Sequence, residues 1–532
     1  VADEEASGVA DDPADGRGPD QAAGGGLAAA AEPYADVAET HTAVVFFAGD
    51  RAYKLKKPVT TGFLDFSTRQ ARAAACERET VLNSRFAPDV YLGVAQLTDA
   101  AGQVCDHLVV MRRMPADRRL SALIERGAPV SGALRQVARI LAAQHAAAPR
   151  GQAISEQGSR AALRGRWEAN IEQIRPLADG LLDGPVTDEV ERLAARFLAG
   201  RDRLLRARVD SGRVVDGHGD LLAGDIFCLD DGPRILDCLE FDDKLRWLDG
   251  LDDAAFLAMD LERLGAADLA ERFTGWYAEF SGDPAPASLR HHYVAYRAFV
   301  RAKVGCIRAG QGHQGAAGEA RTLAALTLRH LRAGAVTLVL VGGLPGTGKS
   351  ALAGALADRL GWTVLSSDRV RKELAGVASG EHAAAGYGAG IYAPEWTGRT
   401  YAELLRRAAE LLAMGESVLI DATWNSARHR AAAAAAAGEL AADLVQLRCS
   451  AHQDVAARRI LARSGTDSDA DPQIAASMAA EHAPWPDAVS LDAGEGDGPA
   501  GWPDDMIGLA LAAIRPHGAE HVWRPSRPPA LA

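Results

Sequence analysis

The chain has 532 residues, of which 48% are hydrophobic and 24% charged, and a formal net charge of −13. This is enough apolar material for two or three buried cores, and the acidic balance argues against a general nucleic-acid or anionic-membrane binder. Six scattered cysteines without a C-x-x-C pair, no run of about 18 apolar residues, and an acidic start without a basic-then-apolar leader set the expectation of a cytoplasmic protein with reduced thiols.

Residues 1–32 are rich in Ala, Gly and Asp and poor in large apolar side chains, which predicts a disordered acidic tail. Residues 43–47 and 52–56 read as a hairpin about the Gly49-Asp50 turn, with Lys54 and Lys56 on one face of the second strand and Tyr53 and Leu55 on the other. A helix is predicted over 67–86 and strands over 90–97 and 108–111. From there to about 208 the pattern is mostly helical, with amphipathic segments at 134–147 and 189–205. Residues 214–229 and 234–242 read as strand, loop, strand, turn, strand, with carboxylates gathered where the strands end. Such a cluster suits Mg²⁺, which takes carboxylate, water and substrate-phosphate ligands. Asp220 and Asp237 are its candidates, while Asp230 and Asp231 read as solvated turn residues.

The stretch His218-Gly219-Asp220, followed by Asp237, resembles the catalytic core of aminoglycoside phosphotransferases and related small-molecule kinases of the protein-kinase-like fold. The resemblance implies that Asp220 is the base that accepts the proton of a substrate hydroxyl and that Asp237 binds metal. It further implies that Lys54 contacts ATP, with Glu79 as its ion-pair partner, and that residues 108–114 form an adenine-contacting hinge. Asp249 and Asp253 match an element that is usually structural. Two features depart from the family pattern. Its Asn position is Asp225 here, which adds a negative charge beside the metal site while keeping a possible metal ligand. Between the first two strands only Gly49 stands where a Gly-rich phosphate loop is expected.

Residues 251–332 return to a helical pattern. Within them Arg297, Arg301 and Lys303 admit two readings: the wall of an anionic substrate pocket or, preferred on pattern alone, a solvated helix face. A glycine-rich joint at 310–318 and a last helix ending at Gly334 mark a boundary. The predicted units are therefore a kinase-like domain over 33–330 and a second domain over 335–515, with a loose Pro-rich end at 516–532.

The second domain opens with an apolar strand over 336–342 running into Gly343-Leu344-Pro345-Gly346-Thr347-Gly348-Lys349-Ser350, a G-x-x-x-x-G-K-[ST] phosphate loop followed by a helix. The backbone N–H groups around Gly343, Gly346, Thr347 and Gly348 suit phosphate oxygens. Lys349 is placed for the β- and γ-phosphates and Ser350 for Mg²⁺. After the next strand, Asp368 and Arg371 are spaced to share one helix face. A carboxylate there can activate an acceptor hydroxyl while the arginine holds an anionic part of the acceptor. A buried strand ending in Asp421 supplies a Walker B-like carboxylate placed to hold Mg²⁺ through water, and Thr423 and Asn425 follow it. The arrangement resembles small P-loop kinases such as gluconate, shikimate, polynucleotide and zeta-toxin-type kinases. That resemblance implies a lid in which Arg459 and Arg463 clamp the transferring phosphoryl group.

The pairing resembles bacterial two-domain proteins that join an aminoglycoside phosphotransferase-like domain to an AAA-type ATP-binding domain. The fold class expected is α/β and α+β: a bilobal protein-kinase-like domain, then a parallel P-loop sheet. The expected function is ATP-dependent, Mg²⁺-requiring phosphoryl transfer to a hydroxyl of a small molecule, with two candidate kinase sites. A nucleotide-binding regulator with a ligand-sensing pseudokinase half is the rival, favoured by Asp225 and the missing Gly-rich loop. A nucleic-acid end kinase shares the D-x-x-R spacing but not the expected basic patch.

Overall fold

The computed structural model describes residues 34–40, 42–60, 65–178, 181–182, 184–378, 389–462, 472–480, 483–494 and 502–515. The predicted tails at 1–32 and 516–532, the polar loop at 465–471 and Arg463 lie outside the described residues.

The first sheet is built from β1 (Ala35–Glu39), β2 (Ala43–Ala48), β3 (Arg51–Lys56), β4 (Tyr91–Thr98) and β5 (Val104–Arg112). Its order is β1-β2-β3-β5-β4 with every neighbour antiparallel. The predicted hairpin is β2–β3, closed by the Ala48↔Arg51 pair across Gly49, whose φ of +57° suits glycine. Strand β1 has no counterpart in the sequence pattern because every one of its residues is exposed, so burial imposed no alternation on it. The helix Arg69–Asn83, capped by the Thr68 hydroxyl, which accepts from the Ala71 N–H at 3.2 Å, lies against β4 and β5. Cys76 joins Val109, Met111 and Met114 in a small core between them.

A larger helical lobe follows. Within it β6 (Val214–Asp216) pairs with β9 (Trp247–Asp249), and β7 (Ile226–Leu229) with β8 (Gly232–Ile235), both antiparallel. The helix Gly250–Arg263 runs through the lobe's centre and is buried from Gly250 to Leu261. Ala287–Gly310 and Ala316–Ala333 form a helical hairpin through the glycine-rich joint, where Gly312 and Gly315 take left-handed φ values of +84° and +79°. The second sheet begins directly after this hairpin. It comprises β10 (Thr337–Gly342), β11 (Thr363–Ser366), β12 (Val418–Asp421), β13 (Asp443–Ser450) and β14 (Val489–Asp492). These run parallel in the order β11-β12-β10-β13-β14. Strand β10 is buried along its whole length, which accounts for its unbroken apolar run.

The amphipathic pattern over 189–205 predicts one helix, and the structure divides it into Gly184–Ala199 and Asp202–Asp210. The break lies against the second unit. A Cβ on Gly200 would meet the Leu440 carbonyl oxygen at 1.8 Å, so the backbones touch there. Arg201, fully buried, turns inward and donates to the carbonyls of Leu412 and, at 3.0 Å, Leu440, at the C-terminal ends of two helices of the P-loop unit. Burial without a carboxylate partner pulls its pKa down to about 10. Ser288 adds a hydrogen bond to the Gly415 carbonyl at 2.6 Å and Arg196 an ion pair with Asp443 at 2.6 Å. One continuous apolar cluster runs from the helical lobe onto one face of the parallel sheet, through Leu338, Leu340, Tyr401 and Leu404. A second cluster, including Val339, Val341 and Leu419, covers the other face.

Candidate functional site

In the first unit, β3 directs both lysines of its polar face at one carboxylate. Lys54 Nζ lies 2.9 Å from Glu79 Oε1 and 2.7 Å from Asp237 Oδ1. Lys56 Nζ lies 2.7 Å from Glu79 Oε2 and also pairs with Glu240. Glu79 has no exposed surface. Burial alone would raise its pKa, and the two ammonium groups outweigh burial and lower it. Lys54 is the mirror case: burial opposes its charge, but Asp237 and Glu79 hold its pKa well above the ordinary lysine value. Lys56 and Glu240 carry no motif. Their one sequence signal is that Lys56 shares a strand face with Lys54.

The loop after β6 is fastened from below by the helix Gly250–Arg263. The Asp253 carboxylate accepts the backbone N–H groups of His218 at 2.6 Å and Gly219 at 2.9 Å, and His145 Nε2 sits 2.9 Å from it. These contacts overcome burial and hold the Asp253 pKa far below the ordinary carboxylate range. Asp260, which no motif marks, accepts the Ala223 N–H at 2.9 Å. Asp249 caps the same helix through the Leu251 N–H and is forked by Arg208 at 2.6 and 2.7 Å. Both Asp249 and Asp253 therefore position backbone.

Asp220, held on this loop, has its pKa pushed up to about 6 by burial, with Asp237 adding to the shift and Arg301 opposing it. Asp225 is raised well above the ordinary value by burial and by the charges of Asp237 and Asp220. Asp237 moves the other way, lowered by Lys54. It is half-exposed, its φ is +64°, and its N–H points at the Tyr91 hydroxyl at 3.1 Å. Lys54 thus joins Glu79 and Asp237 directly, and the charge of Asp237 acts on both Asp220 and Asp225. The Gly49 turn instead packs against Tyr34, whose ring would lie 3.4 Å from a Cβ there. Among the described residues no group of three or more His, Cys, Asp or Glu side chains stands at metal-ligating spacing.

In the second unit Gly343, Gly346 and Gly348 all take positive φ (+145°, +83° and +85°). A Cβ on Gly343 would stand 2.5 Å from the Cys449 carbonyl, and one on Gly346 would stand 2.5 Å from that of Ala456. The loop geometry therefore requires glycine twice over. Gly348 caps the helix Lys349–Leu360 and its carbonyl accepts the Trp502 indole N–H at 2.9 Å. The Thr347 hydroxyl donates to the Leu344 carbonyl at 2.8 Å, bracing the loop from within. Ser350 Oγ donates to Asp421 Oδ2 at 2.6 Å, bringing together the two residues named for Mg²⁺. The Ser366↔Asp421 register sets the start of the helix Ser367–Ala375, and with it Asp368, beside this pair. Arg371 is buried, donates to the Ile391 carbonyl at 2.9 Å and to Thr397 Oγ1 at 3.2 Å, and lies over the Tyr392 ring. Tyr401 feels the charges of both Arg371 and Asp368, and its hydroxyl meets Thr423 Oγ1 at 3.2 Å. Tyr401 was unmarked by any motif.

Asn425 directs its amide to the Met478 carbonyl at 3.3 Å. Arg459 donates to the Ala493 carbonyl at 3.3 Å, tying its helix to the end of β14.

Fold and site together define a two-part protein, a bilobal protein-kinase-like unit joined to a P-loop unit. Residues 338–484 match the family model described as "AAA domain". Over 495 residues, 93% of this chain and 96% of theirs, it is 46% identical to "Uncharacterized protein Rv2004c" of Mycobacterium tuberculosis and to "Uncharacterized protein Mb2027c" of Mycobacterium bovis. The chain belongs to the family of these mycobacterial proteins. Solved structures similar to parts of it include a choline/ethanolamine kinase family protein from Mesorhizobium loti, at 15% identity and TM-score 0.35 over 57% of this chain and 93% of that one. A gluconokinase from Sinorhizobium meliloti matches at 17% identity and TM-score 0.24 over 34% and 91%. The fold assignment rests on the sheet topologies described above.

Proposed function

We propose that this protein is an ATP-dependent phosphotransferase acting on small-molecule hydroxyls, with units at about 33–330 and 335–515 that each hold one transfer site. The observation that carries this reading is the assembly of Ser350, Asp421 and Lys349 around a glycine-formed phosphate loop, with Asp368 and Arg371 on the adjoining helix. A switch that only hydrolyses nucleotide has no use for that acceptor pair.

In the P-loop site the backbone from Gly343 to Ser350 holds the phosphates, Lys349 neutralises charge developing on the transferred group, and Asp368 orients the acceptor hydroxyl. In the first site Lys54, steadied by Glu79, contacts the nucleotide phosphates and Asp220 takes the hydroxyl proton. Mg²⁺ fits both: Ser350 and Asp421 would hold it in one, and Asp237 and Asp225 in the other. There it would relieve the repulsion that raises Asp225 and would supply charge neutralisation on the phosphates.

The test is transfer of label from γ-labelled ATP with Mg²⁺ to pooled hydroxylated metabolites. Lys349→Ala is expected to lower transfer at the P-loop site by about 10² to 10³-fold, and Asp220→Asn to lower transfer at the first site by about 10² to 10⁴-fold. Label lost only with Lys349→Ala would favour the rival reading of the first unit as a ligand sensor, which the crowding of Asp225 also suits. Release of free phosphate alone from every pool would overturn the kinase reading.

A further inference from the structure

The helices Gly250–Arg263 and Ala287–Gly310 pack side by side in the same direction. Near the start of the contact, Arg297 forks onto Asp252 at 2.7 and 2.8 Å and lies 4.9 Å over the Phe256 ring. About three turns further along each helix, Arg263 and Arg308 reach the same Glu319 carboxylate at 3.5 and 3.6 Å. This shared register puts Arg301 level with residues 256–260. The loop that carries Asp220 is fastened to the same stretch, its start by Asp253 and its end, at Ala223, by Asp260. Arg301 therefore stands across from Asp220, and of the charges acting on that carboxyl Arg301 acts most strongly.

The two arginines one turn apart have different fates. Arg297 is buried and fully engaged by Asp252. Arg301 is half-buried, and among the described residues no carboxylate or carbonyl holds its guanidinium. Lys303, on the same helix, is held by the neutral side-chain oxygens of Asn170 at 2.6 Å and Gln173 at 2.8 Å. A guanidinium fork left open beside the proposed proton acceptor suits bidentate recognition of a planar or tetrahedral oxyanion.

We infer that Arg301 is the receptor for an anionic group of the acceptor, so that the substrate of the Asp220 site is a hydroxylated carboxylate or phosphate ester rather than a neutral polyol or an amine. This rests on the phosphotransferase reading of that site. In the reaction the acceptor oxygen bonds to the γ-phosphorus of ATP as the bond from that phosphorus to the β,γ-bridging oxygen breaks. The hydroxyl proton passes to Asp220 and ADP leaves.

The experiment uses the full chain, γ-labelled ATP and four acceptor probes: D-gluconate, glycerol 3-phosphate, glycerol and choline. Transfer is assigned to this site by its loss in Asp220→Asn. The expected result is labelling of gluconate or glycerol 3-phosphate, the better of the two identifying the anion as carboxylate or phosphate. Arg301→Ala then raises KM for that acceptor about tenfold or more without changing KM for ATP, and Arg301→Lys restores part of the loss. Asp220-dependent labelling of glycerol or choline in preference to both anions would overturn the inference and leave the phosphotransferase reading standing. So would an Arg301→Ala enzyme whose acceptor KM is unchanged while the acid limb of its pH profile moves to higher pH, the signature of a mere counter-ion to Asp220. If no probe is labelled, calorimetric titration of the same four compounds decides separately. An anion that binds wild type and binds Arg301→Ala about tenfold more weakly supports the receptor, and equal binding to both overturns it.

Discussion

Glu79 shows how one buried charge organises a site. It accepts from two lysines that leave the same strand face, and it stays ionised because their combined attraction exceeds the cost of its burial. Glu79→Gln should therefore release Lys54 and Lys56 together and reduce Asp220-dependent transfer more than Lys56→Met does, a comparison that steady-state rates of the two variants will make. Asp220 offers a second measurement. Its pKa lies at about 6, and a base must be ionised to accept a proton, so kcat/KM for that site should be low in acid, rise as pH passes through about 6 and level off above it. A pH–rate profile that is flat from pH of about 5 to 8 would remove Asp220 from the base role. Asp253 acts on stability instead. Its folded pKa is depressed, so the stability it contributes is present above the ordinary carboxylate range and lost as pH falls below that range. Asp253→Asn should melt several degrees lower than wild type near neutrality, and thermal scans should show the gap narrowing as pH drops through about 4.

At the scale of elements, the helix Gly250–Arg263 is the keel of the first site. It spends three buried aspartates on fixed tasks: Asp252 on Arg297, Asp253 on the loop start and Asp260 on the loop end. Each is satisfied, which is how so many carboxylates can lie in one buried helix. The break at Gly200 is the corresponding device at the junction. A methyl group there would overlap the Leu440 carbonyl, so Gly200→Ala must part the two backbones. The expected loss is about 1–3 kcal/mol in chemical denaturation. A neutral outcome would mean that the contact between the units does not contribute to stability.

For the whole molecule, the continuous apolar cluster and the Arg201 contacts predict that the two units unfold together. Calorimetry of the wild type should give one transition. Arg201→Ala removes the donor to the Leu440 carbonyl in a buried junction and leaves the Leu412 carbonyl with the Gly415 N–H alone. It should lower the first transition and resolve a second. Arg201 grips the same end of the helix Pro394–Ala413 as Ser288 does through Gly415. The far end of that helix bears the Thr397 contact to Arg371. One helix thus links the Arg371 contact of the P-loop unit to the helical lobe of the other unit.

By itself the sequence determined those parts whose chemistry depends on close spacing. The phosphate loop, the hairpin that aims Lys54, the His218–Asp220 loop and the strand ending in Asp421 were all legible, because neighbours in the chain are fixed relative to one another by backbone geometry. The parts that hold these in place were not legible. Lys56 and Glu240 joining Glu79, Asp260 fastening Ala223, Tyr401 beside Asp368, and the helix break at Gly200 all depend on partners far away in the chain. The register between such segments is set only when they pack. Arg297 and Arg301 show the difference most plainly. One turn apart on one helix, they are the same signal in the sequence, and only the packing of Asp252 against the first left the second open toward Asp220.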